Sequence, residues 1–229
     1  MTDINIAAAP RPARPGRGDG EAARERLLHA ALNLFAHQGF ATTSTREIAE
    51  AAGANLAAIK YYFGDKAGLY RAVFFEMQSK PEDDIRRFGG EALSLREALR
   101  GLYLGFLEPL KQGELTTLCM KLHMREMLEP NGLWGEEIEH GIRPMHEALL
   151  RVLCRHVGAA APDEHIERLA VCVAALGVHL HVARDVTDAL APALNEGADA
   201  LDRWLDALVM YAEAMVASEV RRRASARQP

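Results

Sequence analysis

Cysteine is scarce in this chain: three in 229 residues, Cys119, Cys154 and Cys172. They stand singly in apolar patterns with no CxxC spacing, which argues against a disulfide frame or a zinc site; buried reduced thiols are expected. Aromatics make up only 6% of the residues, and the predominance of Ala and Leu favours helices over strands. No apolar run approaches the ~20 residues of a membrane span, and residues 1–20 hold Pro, Gly and Arg but no apolar segment that would direct secretion. A cytoplasmic protein with no membrane partner is expected. Catalytic signatures are missing as well: there is no HExxH, no nucleophile elbow and no glycine-rich phosphate loop. The nine histidines do not cluster, since His179 and His181 fall on different helical faces and Pro144 separates His140 from His146. No enzyme, no metal site and no cofactor is therefore expected.

The formal net charge of −5 is unevenly spread. Residues 1–80 hold ten Lys and Arg against eight Asp and Glu, a balance of +2; residues 81–229 hold seventeen against twenty-four, a balance of −7. A mildly basic part that touches phosphates, joined to an acidic part that does not, fits this division.

Residues 43–66, TSTREIAEAAGANLAAIKYYFGDK, organise the rest. Ser44 and Glu47 form a capping box, in which hydroxyl and carboxylate each take an orphan amide at a helix start. Ile48, Ala49 and Ala52 share one face of that helix. Gly53 supplies the left-handed residue that ends it, and Asn55 caps the next. Ile59 and Phe63, four apart, turn inward and leave Ala57, Lys60 and Tyr61 outside. Leu56 is ambiguous, because it also precedes Ile59 by three. A first helix crossing the backbone of a duplex and a second free to enter the major groove is a helix-turn-helix.

Gly39 and Phe40, Thr43 and Ser44, Ile48-Ala49, Ala52-Gly53, Tyr62-Phe63, Lys66 and Leu69 together resemble the DNA-binding signature of the TetR family of bacterial transcriptional repressors. The match covers about fifty residues with caps, glycines and aromatics in register. One position departs: three residues before Phe63, where the family most often has tyrosine, stands Lys60. The string NLAAIKYYFGDK, together with REMLEP at residues 125–130, is similar to the subgroup with a CecR-like C-terminal domain, and that resemblance implies control of genes for export of toxic compounds.

The expected fold is all-α with about nine helices: a disordered tail at 1–20, a three-helix head at 21–66, and a body at 67–229 for ligand binding and dimerisation, with a connecting helix at 67–80. Arg11, Arg14 and Arg17 in the tail either follow a minor groove or stay solvated. Residues 81–90 read as a loop, and Pro144 predicts a kink or two shorter helices within 136–157. Two late stripes carry heptad-like spacing: Leu169, Val173, Leu176 and Leu180, then Leu201, Leu205, Leu208, Ala212 and Met215, bordered by Trp204 and Tyr211. They are the expected dimer interface, as a four-helix bundle with a second copy.

Function follows from these parts. Thr43, Ser44, Thr45, Tyr62 and Lys66 are the expected phosphate contacts, and Ala57, Lys60 and Tyr61 are placed to reach base edges. The middle helices offer more apolar and aromatic side chains than one stripe needs: Tyr103, Phe106, Met120, Met124 and Met127, with the polar His123, His146 and His179. Such a mixture suits a site for a small apolar or amphipathic ligand, although any one of these residues is equally a core residue. The chain reads as a homodimeric repressor on a near-palindromic double-stranded DNA operator, released by a small-molecule inducer. A DNA-binding regulator answering to a protein partner, and an enzyme on a helical bundle, are the alternatives.

Overall fold

The computed structural model describes residues 17–77, 80–111 and 113–226, and among them every regular element is helical. Twelve α-helices follow in order: α1 Arg17–Gln38, α2 Thr45–Ala51, α3 Leu56–Phe63, α4 Lys66–Glu76, α5 Pro81–Phe88, α6 Leu95–Lys111, α7 Glu114–Leu128, α8 Trp134–Glu137, α9 Arg143–Val157, α10 Glu164–Val182, α11 Arg184–Leu190 and α12 Ala200–Ala226. A π-helical turn, Ile138–Ile142, joins α8 to α9, and a 3-10 turn, Pro192–Leu194, follows α11.

Two local expectations change. Helix α1 starts at Arg17, within the stretch read as tail; Arg11 and Arg14 lie outside the described residues. Residues 81–88 are helical rather than a loop. Pro81 opens α5, Glu82, Asp83 and Asp84 occupy its first turn and Arg86 and Arg87 its last, so a short polar segment is stabilised by charges that match the helix dipole. Pro144 sits in the first turn of α9, and the pattern of 136–157 is divided there, as expected, into the end of α8 and α9 with the π turn between them.

Two apolar cores result. Leu27, Leu32, Phe35, Ile48, Ile59, Leu69, Val73 and Phe74 of α1–α4 form the first, which Leu118 and Leu122 of α7 close from outside. The head's core therefore extends past residue 66 into α4 and α7. The second core joins Phe88 of α5 to α6, α9, α10 and α12. Tyr103 is fully buried there and its hydroxyl donates to the carbonyl of Val173 at 2.9 Å.

The late stripes point into this second core. Leu169, Val173, Leu180, Leu205, Leu208 and Ala212 are buried within the protomer, with Leu176, Leu201, Trp204 and Met215 packed beside them. Their spacing was read as a dimer face, but α6 and α9 pack against α10 and α12 on that side. The faces left open carry Val171 and Val182 on α10, and Met210, Tyr211 and Val220 on α12. Helix α10 is also long and apolar enough, by length and composition, to cross a membrane. Here it lies along the body core, its first turn capped by Asp163, which also pairs with Arg223 of α12 at 2.6 Å.

Candidate nucleic-acid interface

The head builds an exposed ridge by fixing everything around it. At α2, the amide of Ser44 donates to Glu47 Oε2 at 2.8 Å and the amide of Glu47 to Ser44 Oγ at 3.2 Å. These bonds, with the charge of Lys66, hold the Glu47 carboxyl below its ordinary range. The turn closes with the Gly53 amide on Glu50 O and the Ala54 amide on Ala49 O, and Gly53 takes φ +57°, a left-handed conformation suited to glycine. Asn55 Oδ1 then accepts from the Ala57 amide at 2.9 Å and starts α3. At the far end a Cβ on Gly68 would fall 2.0 Å from the Phe63 carbonyl oxygen, so only glycine lets α4 start this close to α3.

Helix α3 is held by buried Ile59 and half-buried Ala58 and Phe63, with the Arg24 guanidinium 5.2 Å from the Phe63 ring centroid. Its other side carries Ala57, Lys60 and Tyr61 into solvent, Tyr61 at 81% exposure. Leu56 is half exposed on this side too. Tyr62 is half-buried, its ring 4.9 Å from that of Tyr61. A short helix with a small residue, a cation and an aromatic on its open face has the dimensions and chemistry of a groove reader.

The expected phosphate contacts divide. Ser44 is exposed and Thr45 partly so. Thr43 is 1% exposed and its hydroxyl donates to the Gly39 carbonyl at 2.8 Å, so it ties α1 to the turn instead of facing a duplex. Lys66 is half-buried: its ammonium lies 4.5 Å from the Phe40 ring centroid and donates to Ala41 O at 3.4 Å. One cation was missed. Arg46, in the first turn of α2, is exposed and has no ion-pair partner among the described residues. Its place on the side away from Ile48, two residues on, was readable from the helical period.

The eight expected ligand contacts are spread over α6, α7, α9 and α10. Tyr103 and Phe106 belong to the body core. His146 Nε2 lies 3.0 Å from Glu167, between α9 and α10, and His179 is exposed. Its neighbour His181 is the inward one, bonded to Phe106 O at 2.8 Å, because a two-residue step on a helix changes face. Met120, Met124 and Met127 are half-buried on α7. His123 lies where α7 meets the head, stacked on Phe74 at 5.3 Å and edge-on to Trp134. Burial lowers its pKa to about 4, against the pull of Glu126, and Nδ1 has no hydrogen-bond partner. Its Nε2 is 3.7 Å from Glu137, whose pKa burial raises to about 7.

Residues 27–73 match the family described as bacterial regulatory proteins, tetR family, and residues 95–218 match the C-terminal domain of the HTH-type transcriptional dual regulator CecR. CecR of Shigella flexneri is 36% identical over 155 residues, which is 63% of this chain and 69% of that protein. AcrR of the same organism, an HTH-type transcriptional regulator, is 31% identical over 48% of this chain and 52% of its own. The crystal structure of NalD, the secondary repressor of the MexAB-OprM multidrug efflux pump in Pseudomonas aeruginosa, is similar with a TM-score of 0.63 at 23% identity. It covers 84% of this chain and 96% of that one. At that identity the likeness speaks for the fold.

Proposed function

The chain belongs to the TetR family of bacterial transcriptional regulators, and we propose that it acts as a homodimeric repressor that leaves its operator when a small apolar or amphipathic molecule binds. The observation that carries the DNA-binding half is the α3 ridge of Ala57, Lys60 and Tyr61, solvated while every residue behind it is packed or capped. One such helix reads too few base pairs for useful specificity, so two must be coupled across a two-fold axis. The open faces of α10 and α12, with Val171 at 60% and Tyr211 at 53% exposure, are the surface proposed for the second copy. The ligand half rests on likeness: a complex of SmeT with triclosan has a TM-score of 0.58 to this chain at 21% identity. NalD's role at an efflux pump supports export genes as the target. CecR is described as a dual regulator, which favours a second reading, activation from some sites and repression from others.

The test uses the full chain and the DNA flanking its own gene. Footprinting should protect two half-sites about 34–36 Å apart, or one helical turn. Compounds that raise the melting temperature should release that DNA. A dimer that binds the flanking DNA no better than unrelated DNA defeats the proposal, and thermal ligands that leave the complex intact defeat its inducer half.

A further inference from the structure

The REMLEP string at residues 125–130 is the one motif that the reading above leaves without a task. It lies at the end of α7, which closes the head's core through Leu118 and Leu122. Its first two residues reach in different directions. Arg125 lies against the end of α1: Nη2 donates to the His37 carbonyl at 3.3 Å, and a Cβ on Gly39 would fall 2.9 Å from Nη1. Glu126 reaches α4. It is 0% exposed, and its Oε2 accepts from the Tyr70 hydroxyl at 2.7 Å.

The same carboxylate holds the loop after α7. Oε1 accepts from the amides of Asn131 at 2.8 Å and Leu133 at 2.9 Å, and Oε2 from Asn131 Nδ2 at 3.1 Å. Burial alone would raise its pKa; these four donors outweigh that and keep it low. The loop runs into α8, the π turn and α9, and α9 lies in the body core. Glu126 therefore bonds on one side to the segment leading into the body and on the other to a helix of the head. A buried carboxylate tolerates little loss of its donors, so loop and Tyr70 cannot move independently without breaking a strong bond.

We propose that Arg125 and Glu126 are positioning residues that set the angle of the DNA-binding head on the body, Arg125 through α1 and Glu126 through Tyr70 of α4. A shift of the α7–α8 loop then turns α4, and with it α3. This rests on the DNA-binding reading above, but its first measurement does not need DNA.

Spin labels at Glu25→Cys on the head and Leu190→Cys on the body, in a Cys172→Ser background, report the head–body distance. With labelled chain diluted into an excess of unlabelled protein, so that each dimer carries labels on one protomer only, the wild-type head–body joint should give one narrow distribution. Tyr70→Phe removes a single bond and little volume, and Arg125→Met removes the donors to α1; each should shift or broaden the distribution while thermal unfolding stays cooperative. Arg125→Lys, which restores a cationic donor, should recover most of the wild-type distance. Operator affinity should change by about 2- to 30-fold in the first two variants. Distributions that superpose on wild type overturn the proposal, as do shifted distributions with unchanged operator affinity. A wild type that binds no operator removes the reading of function instead, and the distances still decide whether the joint exists.

Discussion

The head and the body are both built from helical stripes, yet they differ in what stands at the edges of those stripes. In the head, every helix boundary between residues 43 and 66 has its own device: the Ser44–Glu47 box, Gly53 at φ +57°, Asn55, then Asp65 on the amide of Gly68. Such devices act over three or four residues and fix both the length and the rotation of a helix. In the body, Asp163 caps the start of α10, but α10 and α12 are long and apolar on more than one side, so a cap at one end leaves open which side turns inward. A local code therefore determines the face of α3, whereas the faces of α10 and α12 depend on α6 and α9, which are distant in sequence.

The sharpest way to break this comparison is to charge the two sides of the body separately. Leu205→Asp with Leu208→Asp places two carboxylates at sites 1% and 3% exposed. No partner charge waits there, so the expected outcome is loss of the folded state, read as loss of helical circular dichroism. Val171→Asp with Tyr211→Asp charges the open faces instead. That pair should stay helical, sediment as a monomer and lose operator binding. A folded, dimeric Leu205/Leu208 double variant would show that the stripes are not the protomer's own core.

Much of the head's exposed ridge was legible because the relevant residues share one period with their caps: Lys60 and Tyr61 turn away from Ile59 whatever the rest of the chain does. Thr43 and Lys66 were not, since both have side chains long or polar enough to face either way, and the Gly39 carbonyl and Phe40 ring that claim them lie in the α1–α2 turn, where no helical period shows which way a side chain faces. The body's helices were legible as helices, but α5 was read as a loop because its apolar stripe is only two residues long, Ile85 and Phe88, among five charged ones. The expected ligand contacts fall on four helices, α6, α7, α9 and α10. Methionine and aromatic side chains on a helix mark burial, and burial alone does not say which of several cores they enter.

His123 and Glu137, where α7 meets α8 beside the head, provide a second and smaller test. Glu137 is raised from 4.5 to about 7 by burial. Its protonated form favours folding at low pH, and that contribution is lost as pH rises through the folded value. His123 is lowered from 6.5 to about 4, again by burial. Its neutral form favours folding above 6.5, and that contribution is lost as pH falls toward the folded value. Between those limits the two slopes oppose. Glu126, the other carboxylate facing His123, is fully hydrogen-bonded, and Arg71 and Glu136 outside pair with each other. The pair's net effect on stability should thus be nearly flat from pH ~5 to ~6.5 in wild type, and single variants should expose slopes of opposite sign worth on the order of 1–3 kcal/mol. Glu137→Gln should melt lower as pH falls and His123→Phe lower as pH rises. Parallel melting profiles for the two would show that the groups do not act as a compensating pair.

Within the head, Lys60 and Arg46 separate two kinds of DNA contact, and they are the finest test of the local code. Lys60 stands in the middle of the open face of α3, with no ion-pair partner among the described residues. Lys60→Ala should leave melting unchanged within about 0.5 kcal/mol, because an exposed lysine packs on nothing. It should weaken binding to the operator by about 1–3 kcal/mol, with the loss confined to particular base pairs. Arg46 stands in the first turn of α2, the helix that crosses the backbone in this motif. Its guanidinium is placed for a phosphate, which every sequence offers equally. Arg46→Ala should therefore weaken specific and unrelated DNA alike and reduce the slope of log K against log salt by about 0.9. Fluorescence anisotropy at several salt concentrations, on the operator and on base-substituted copies, separates the two signatures. If Lys60→Ala shows the uniform, salt-dependent loss and Arg46→Ala the base-dependent one, then α2 rather than α3 enters the groove, and the assignment of the ridge is reversed.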